Sequence, residues 1–148
     1  MLLEFCVKNF LSLKDEAKLS FIASTLKESL QEENDLINEL AIGLSVLRSA
    51  VIYGANASGK SNVLKALSFY KRFITDSFIN SQAGKLIDVE GFRLNTQTEN
   101  EPTTMEATFI VGDFIYRFGF EVDRKSVREE WLYQRANRKR AKEVELFY

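Results

Sequence analysis

The chain has 148 residues, a formal net charge of −1, 45% hydrophobic and 28% charged residues, the composition of an ordinary globular domain. It contains no histidine, which excludes His-ligated zinc, Ser-His-Asp triads and Cys-His pairs together. Its single cysteine, Cys6, excludes an internal disulfide, suits a reducing cytoplasm and reads as core filler on a strand.

Residues 2–9 alternate, with Leu3, Phe5 and Val7 facing one way and Glu4 and Lys8 the other. That pattern predicts a half-buried strand and does not fit a signal peptide. Residues 18–23 read as its partner across the polar turn Lys14-Asp15-Glu16. Ser29-Leu30-Gln31-Glu32 fits a capping box, and Leu30, Ile37, Leu40, Ala41 and Leu44 would line one face of the helix that follows. Glu32, Glu33 and Asp35 suit its first turn, as a solvated face or an acidic docking surface. Residues 46–53 are short and mostly apolar, the mark of a buried strand.

Gly54-Ala55-Asn56-Ala57-Ser58-Gly59-Lys60-Ser61 matches the phosphate-binding pattern G-x-x-x-x-G-K-[ST]. Residues 62–70 follow with apolar positions at helical spacing. Strand, glycine-rich turn and helix is the context in which the pattern carries chemistry. Two glycines let the backbone turn tightly, and loop and helix N–H groups converge on phosphate. Lys60 is expected to reach the β- and γ-phosphates, and the Ser61 hydroxyl to be a Mg²⁺ ligand. Asn62 extends the motif or is a plain first-turn residue.

Beyond this helix, residues 76–88 read as polar and irregular, 89–94 as a short strand, and 95–102 as a loop holding the only proline. Residues 105–111 and 114–120 flank Gly112-Asp113, a two-residue hairpin connection. Residues 127–133 and 144–147 would continue an antiparallel meander. No apolar run approaches the roughly 20 residues of a membrane span.

The string GANASGKSN resembles the ABC-type ATPase heads of the SMC, RecN and RecF class. The opening Leu3-Glu4-Phe5-Cys6-Val7-Lys8-Asn9-Phe10-Leu11-Ser12 is similar to the first strand and "NF-x-S" turn of that class. Phe92-Arg93-Leu94, Pro102-Thr103-Thr104, Glu121-Val122-Asp123 and Glu129-Glu130-Trp131-Leu132-Tyr133 resemble bacterial AAA family ATP-binding proteins of abortive-infection, retron and other phage-defence loci. The resemblance implies an α/β P-loop NTPase: an ABC-type first lobe with a P-loop core over about residues 1–75 and an antiparallel β-subdomain over about 86–148. It implies ATP and Mg²⁺ as cofactors, bound through Gly54, Ala55, Asn56, Ala57, Ser58, Gly59, Lys60, Ser61 and Asn62, with Lys60 the catalytic member. It also implies a homodimer of heads that sandwiches ATP, and a nuclease or toxin effector as partner.

A complete ATPase also needs a carboxylate beside the Mg²⁺, usually at the end of an apolar strand. Asp113 ends such a run but is better explained as a hairpin turn, and the Asp88 and Glu90 string is shorter and interrupted. There is no ABC signature motif. The expectation is an N-terminal lobe whose Walker B acid and signature lie in a C-terminal half absent from this chain. Gln97 and Gln134 are candidates for the glutamine that completes an ABC-type Mg²⁺ shell, or plain polar residues.

Arg124, Lys125, Arg128, Arg135, Arg138, Lys139, Arg140 and Lys142 form the one charge asymmetry, either a DNA or RNA phosphate contact or a charged, aggregation-resistant strand edge. Two further functions follow from these features: a nucleotide-dependent scaffold without turnover, and a nucleic-acid-binding module using the basic cluster. The chain lacks an Asn-Lys-x-Asp guanine motif, which disfavours a GTPase.

Overall fold

Strict alternation drives the first strand. In the structure, a computed structural model that describes residues 1–23, 37–80, 86–95 and 101–148, β1 (Leu2–Lys8) buries Leu3, Phe5 and Val7 and turns Glu4, Cys6 and Lys8 to the other face. The chain then reverses through a short turn and returns as β2 (Ala17–Ser20), antiparallel to β1 with Phe5 opposite Leu19. On its other side β1 pairs with β5 (Thr103–Val111). The Gly112-Asp113 turn joins β5 to β6 (Phe114–Val122), with Val111 opposite Phe114 as the hairpin reading predicts. The meander closes with β7 (Val127–Ala136) and β8 (Val144–Phe147). Among the described residues these six strands form one antiparallel sheet in the order β2-β1-β5-β6-β7-β8. The first two strands, which precede the P-loop in sequence, therefore share a sheet with the four that follow it.

Cross-strand rows give the sheet two different faces. Phe5, Ala107, Phe118 and Leu132 lie in register on one, and Cys6, Glu106, Gly119 and Trp131 on the other. The apolar face is covered by α1 (Lys60–Asn80), whose Ala66, Phe69 and Tyr70 are buried against it. Their i, i+3, i+4 spacing makes one continuous stripe. Tyr70 stands edge-on to Phe5 at 5.5 Å and stacks on Phe120 at 5.4 Å, while Phe73 meets Phe120 at 4.6 Å. Phe5 and Phe120 are wholly buried, each stabilising the fold by about 1.5–3 kcal/mol through lost apolar surface.

Four sequence expectations need correction or restriction. The helix expected through Ile37, Leu40, Ala41 and Leu44 is instead a hairpin: β3 (Ile37–Glu39) pairs with β4 (Ser45–Leu47). Leu40 and Ile42 then pack with Leu3, Val46 and Ile115 in a second apolar cluster, so tertiary burial overrides a weak helical period. The capping box at 29–32, Leu30 and the acidic residues at 32, 33 and 35 lie outside the described residues. α1 runs to Asn80, past the boundary expected near 76. Residues 89–94 make no strand; Val89 is buried and the segment is held by isolated contacts, Leu11 N to Glu90 O and Phe92 N to Asn9 Oδ1, both 2.8 Å.

The polar face carries its own network. Arg117 donates to Glu106 at 2.9 Å and to Glu143 at 2.7 Å, and stacks on Tyr133 at 4.2 Å. Glu106 also accepts the Trp131 indole N–H at 2.7 Å. The indole lies directly on Gly119, where an added Cβ would come within 2.4 Å of the ring. Gly119→Val should therefore displace the only tryptophan, costing about 1–3 kcal/mol by overpacking and red-shifting its fluorescence; an unchanged spectrum would show that the ring does not depend on the missing side chain. Hydrogen bonding from Arg117 holds the Glu143 carboxyl below its ordinary value of 4.5. That contribution to stability is present above pH 4.5 and is lost as pH falls through the lowered value. In urea unfolding followed from about pH 6 to 3, Glu143→Gln should flatten this part of the acid dependence, and an unaltered profile would count against the pairing.

Candidate nucleotide site

The phosphate-binding pattern occupies one exposed loop and the start of α1. Ala57 has φ +61° and Gly59 φ +89°, with Ser58 between them outside the left-handed region. Such alternation turns successive N–H groups toward a common concavity, the backbone arrangement that holds anions. Gly59 O then accepts from Asn62 N at 2.8 Å and Val63 N at 3.2 Å, closing the first helical turn. No acidic residue stands in that turn, so the positive end of the helix is left to attract an anion.

Lys60 folds back over its own loop. Its Nζ donates to Gly54 O at 2.8 Å and Ala55 O at 2.6 Å, which holds a positive charge against the loop's own backbone. Ser61 is exposed in the first turn and Asn56 on the loop. The predicted residues 54–62 are thus contiguous in space and accessible, and the donor set of backbone N–H groups, one ammonium and one hydroxyl fits a phosphate with a divalent cation.

The strand expected at residues 46–53 is not formed as one unit. β4 ends at Leu47; Val46 is buried, but Val51 is 84% and Tyr53 90% exposed. A buried strand needs ladder partners on its flanks, and no described strand pairs with residues 51–53. The loop therefore has its helix but not its strand among the described residues.

Asp113, Gln134 and Asp88 are not brought here. Asp113 sits in the β5–β6 turn and Gln134 donates to Tyr116, both at the end of the sheet opposite the β1–β2 turn that adjoins the P-loop. Asp88 lies near Arg72 at 3.8 Å, twelve residues along α1 from Lys60 and so roughly 18 Å away along the axis. Glu90 differs: its carbonyl accepts from Leu11 N at 2.8 Å, one residue from Ser12 in the turn beside the P-loop, while its carboxylate pairs with Arg93; Gln97 lies outside the described residues. Cys6 stays a thiol, its pKa raised first by burial and then by Glu16.

The basic cluster also divides. Arg124, Lys125 and Arg128 lie at one end of β7, Arg128 bonded to Asp123 at 2.6 Å. Arg138, Lys139, Arg140 and Lys142 lie beyond the other end, roughly 30 Å off at strand spacing. Arg135 stands near Glu143, whose pKa it helps to lower.

Sequence reasoning missed the part played by Ser12 and Asn9. Ser12 accepts from the Asn62 amide at 2.7 Å, and Asn9 anchors the turn that carries it. The string Asn9-Phe10-Leu11-Ser12 was the available signal. No helix among the described residues is long and apolar enough to cross a membrane.

A family model described as "AAA domain, putative AbiEii toxin, Type IV TA system" matches residues 49–145. No curated protein and no solved structure matches the chain. Gly59 is the residue on which the loop geometry turns: at φ +89°, a Cβ would also lie 3.2 Å from Leu13 and 3.3 Å from Ser12. Gly59→Ala should lower stability by about 1–3 kcal/mol in chemical unfolding, whereas wild-type stability would show that the turn yields without cost.

Proposed function

The chain belongs to the AAA-domain family whose model it matches, and from that premise we propose that residues 54–62 bind ATP with Mg²⁺ in the first lobe of an ABC-type, SMC-like ATPase. The observation that carries this reading is a tight glycine loop, with positive φ at Ala57 and Gly59, that has the Lys60 ammonium bonded to its own carbonyls. Lys60 would exchange two carbonyl contacts for charge-assisted bonds to phosphate oxygens. Ser61 would give its hydroxyl to Mg²⁺, which when bound neutralises charge developing on the transferred phosphoryl group. The loop N–H groups would orient the same phosphates and exclude water from their inner side.

Turnover requires a carboxylate near the cation. Neither Asp88 nor Asp113 is placed for it, and the Glu90 carboxylate pairs with Arg93, which supports a lobe that contributes the P-loop while Walker B and signature residues come from other sequence. ATP-gated dimerisation of two such heads, and control of a nuclease or toxin effector in phage defence, belong to this proposal. The same absence favours a second reading, in which nucleotide sets shape and oligomer state without hydrolysis. The wide separation of the basic residues weakens the nucleic-acid module.

Titration of this chain with a fluorescent ATP analogue should show Mg²⁺-dependent binding, and Lys60→Ala should weaken it about tenfold to a hundredfold, the loss of one charged hydrogen-bond donor. Equal affinity in wild type and variant would remove the P-loop from the account.

A further inference from the structure

The first turn of α1 is also held from outside the P-loop. The Asn62 amide donates to Ser12 Oγ at 2.7 Å, across fifty positions of sequence. Ser12 Oγ and Leu13 Cδ2 also stand 3.3 and 3.2 Å from the place where a Cβ on Gly59 would be. One small turn thus touches both the last loop residue and the third helical residue.

That turn is itself fixed. Phe10 N donates to Leu13 O at 2.9 Å and Leu13 N to Phe10 O at 2.8 Å. Leu11 N reaches Glu90 O at 2.8 Å, and the Phe10 ring packs against Phe69 of α1 at 5.8 Å. Asn9, 1% exposed and at φ +53°, accepts from Phe92 N at 2.8 Å and donates to Glu101 O at 2.7 Å, while Thr103 Oγ1 bonds its carbonyl at 2.6 Å. Ser12 is therefore presented from a rigid base rather than from a free loop.

We propose that Ser12 and Asn62 are a positioning pair for the nucleotide site, holding Gly59 and the first helical turn so that the N–H groups of the loop and of residues 60–62 share one aim. The proposal rests on the reading that this P-loop binds nucleotide. A helix start makes no internal bonds with its first N–H groups, so it frays most readily where an anion must find it ordered. A small misplacement of such donors is expensive for binding and catalysis. Neither side chain needs to touch the phosphate for this role, which distinguishes them from Lys60 and Ser61.

The test uses this chain with Mg²⁺ and a fluorescent ATP analogue. Ser12→Ala and Asn62→Ala should each raise Kd roughly three- to tenfold, and the double variant should be no worse than the weaker single one, because one shared contact is lost. Ser12→Thr, which keeps the hydroxyl, should bind as wild type. Amide exchange at residues 61–63 in the free protein should quicken in both alanine variants, a readout independent of nucleotide. Wild-type affinity and exchange in both alanine variants, or losses that multiply in the double, would overturn the positioning pair while Lys60→Ala still weakened binding as expected. Quickened exchange alongside binding insensitive to Lys60→Ala would instead reject the nucleotide reading, and with it the pair's assigned role.

Discussion

A single buried amide organises the end of the molecule where the candidate site lies. Asn9 sits just past β1 in a left-handed conformation and is almost completely enclosed. Its side chain satisfies Phe92 N–H and the carbonyls of Glu101 and Pro102, and its own carbonyl takes the Thr103 hydroxyl. A buried amide left without partners costs more than a made bond returns, so the segments before β5 and around Phe92 are obliged to converge on this point. Asparagine suits it because it tolerates the left-handed region better than other side chains and offers both donor and acceptor. The β1–β2 turn inherits its direction from Asn9, and the P-loop rests on that turn.

The helix is placed by a different force. Phe69, Tyr70 and Phe73 meet Phe5, Phe10 and Phe120 in a chain of aromatic contacts, and this fixes the axis of α1 over the sheet. Directional bonds near Ser12 and non-directional burial further along thus act on the same element. The polar face of the sheet is independent of both: Arg117, held by two carboxylates and a tyrosine ring, organises it without reaching the P-loop. The candidate site therefore belongs to the helix side, and the charged network on the far face serves the sheet.

The sequence patterns that proved legible were those with strong local causes. Alternation marked β1, the Gly-Asp turn marked the β5–β6 hairpin, and the spacing after Lys60 marked α1. Residues 37–47 misled because Leu40 and Leu44 fit a helical period, while the packing of Leu40 and Ile42 with Leu3, Val46 and Ile115 selects a hairpin. Val51 and Ile52 are apolar enough for a buried strand, yet burial depends on flanking strands, which no local pattern supplies. The eight basic residues looked like one cluster because β7 is folded out of a linear count; its length keeps its two ends apart.

What the sequence determined alone is the loop pattern: glycines that permit the turn, a lysine and a hydroxyl at set spacing, and a helix behind them. These follow from local stereochemistry and need no distant partner. Only the tertiary structure decided that Ser12 reaches Asn62, that Asp88, Asp113 and Gln134 stay away from the site, and that the basic residues divide. Each of those is a distance between residues far apart in the chain, set by strand register and by the burial of Asn9 and the aromatic core.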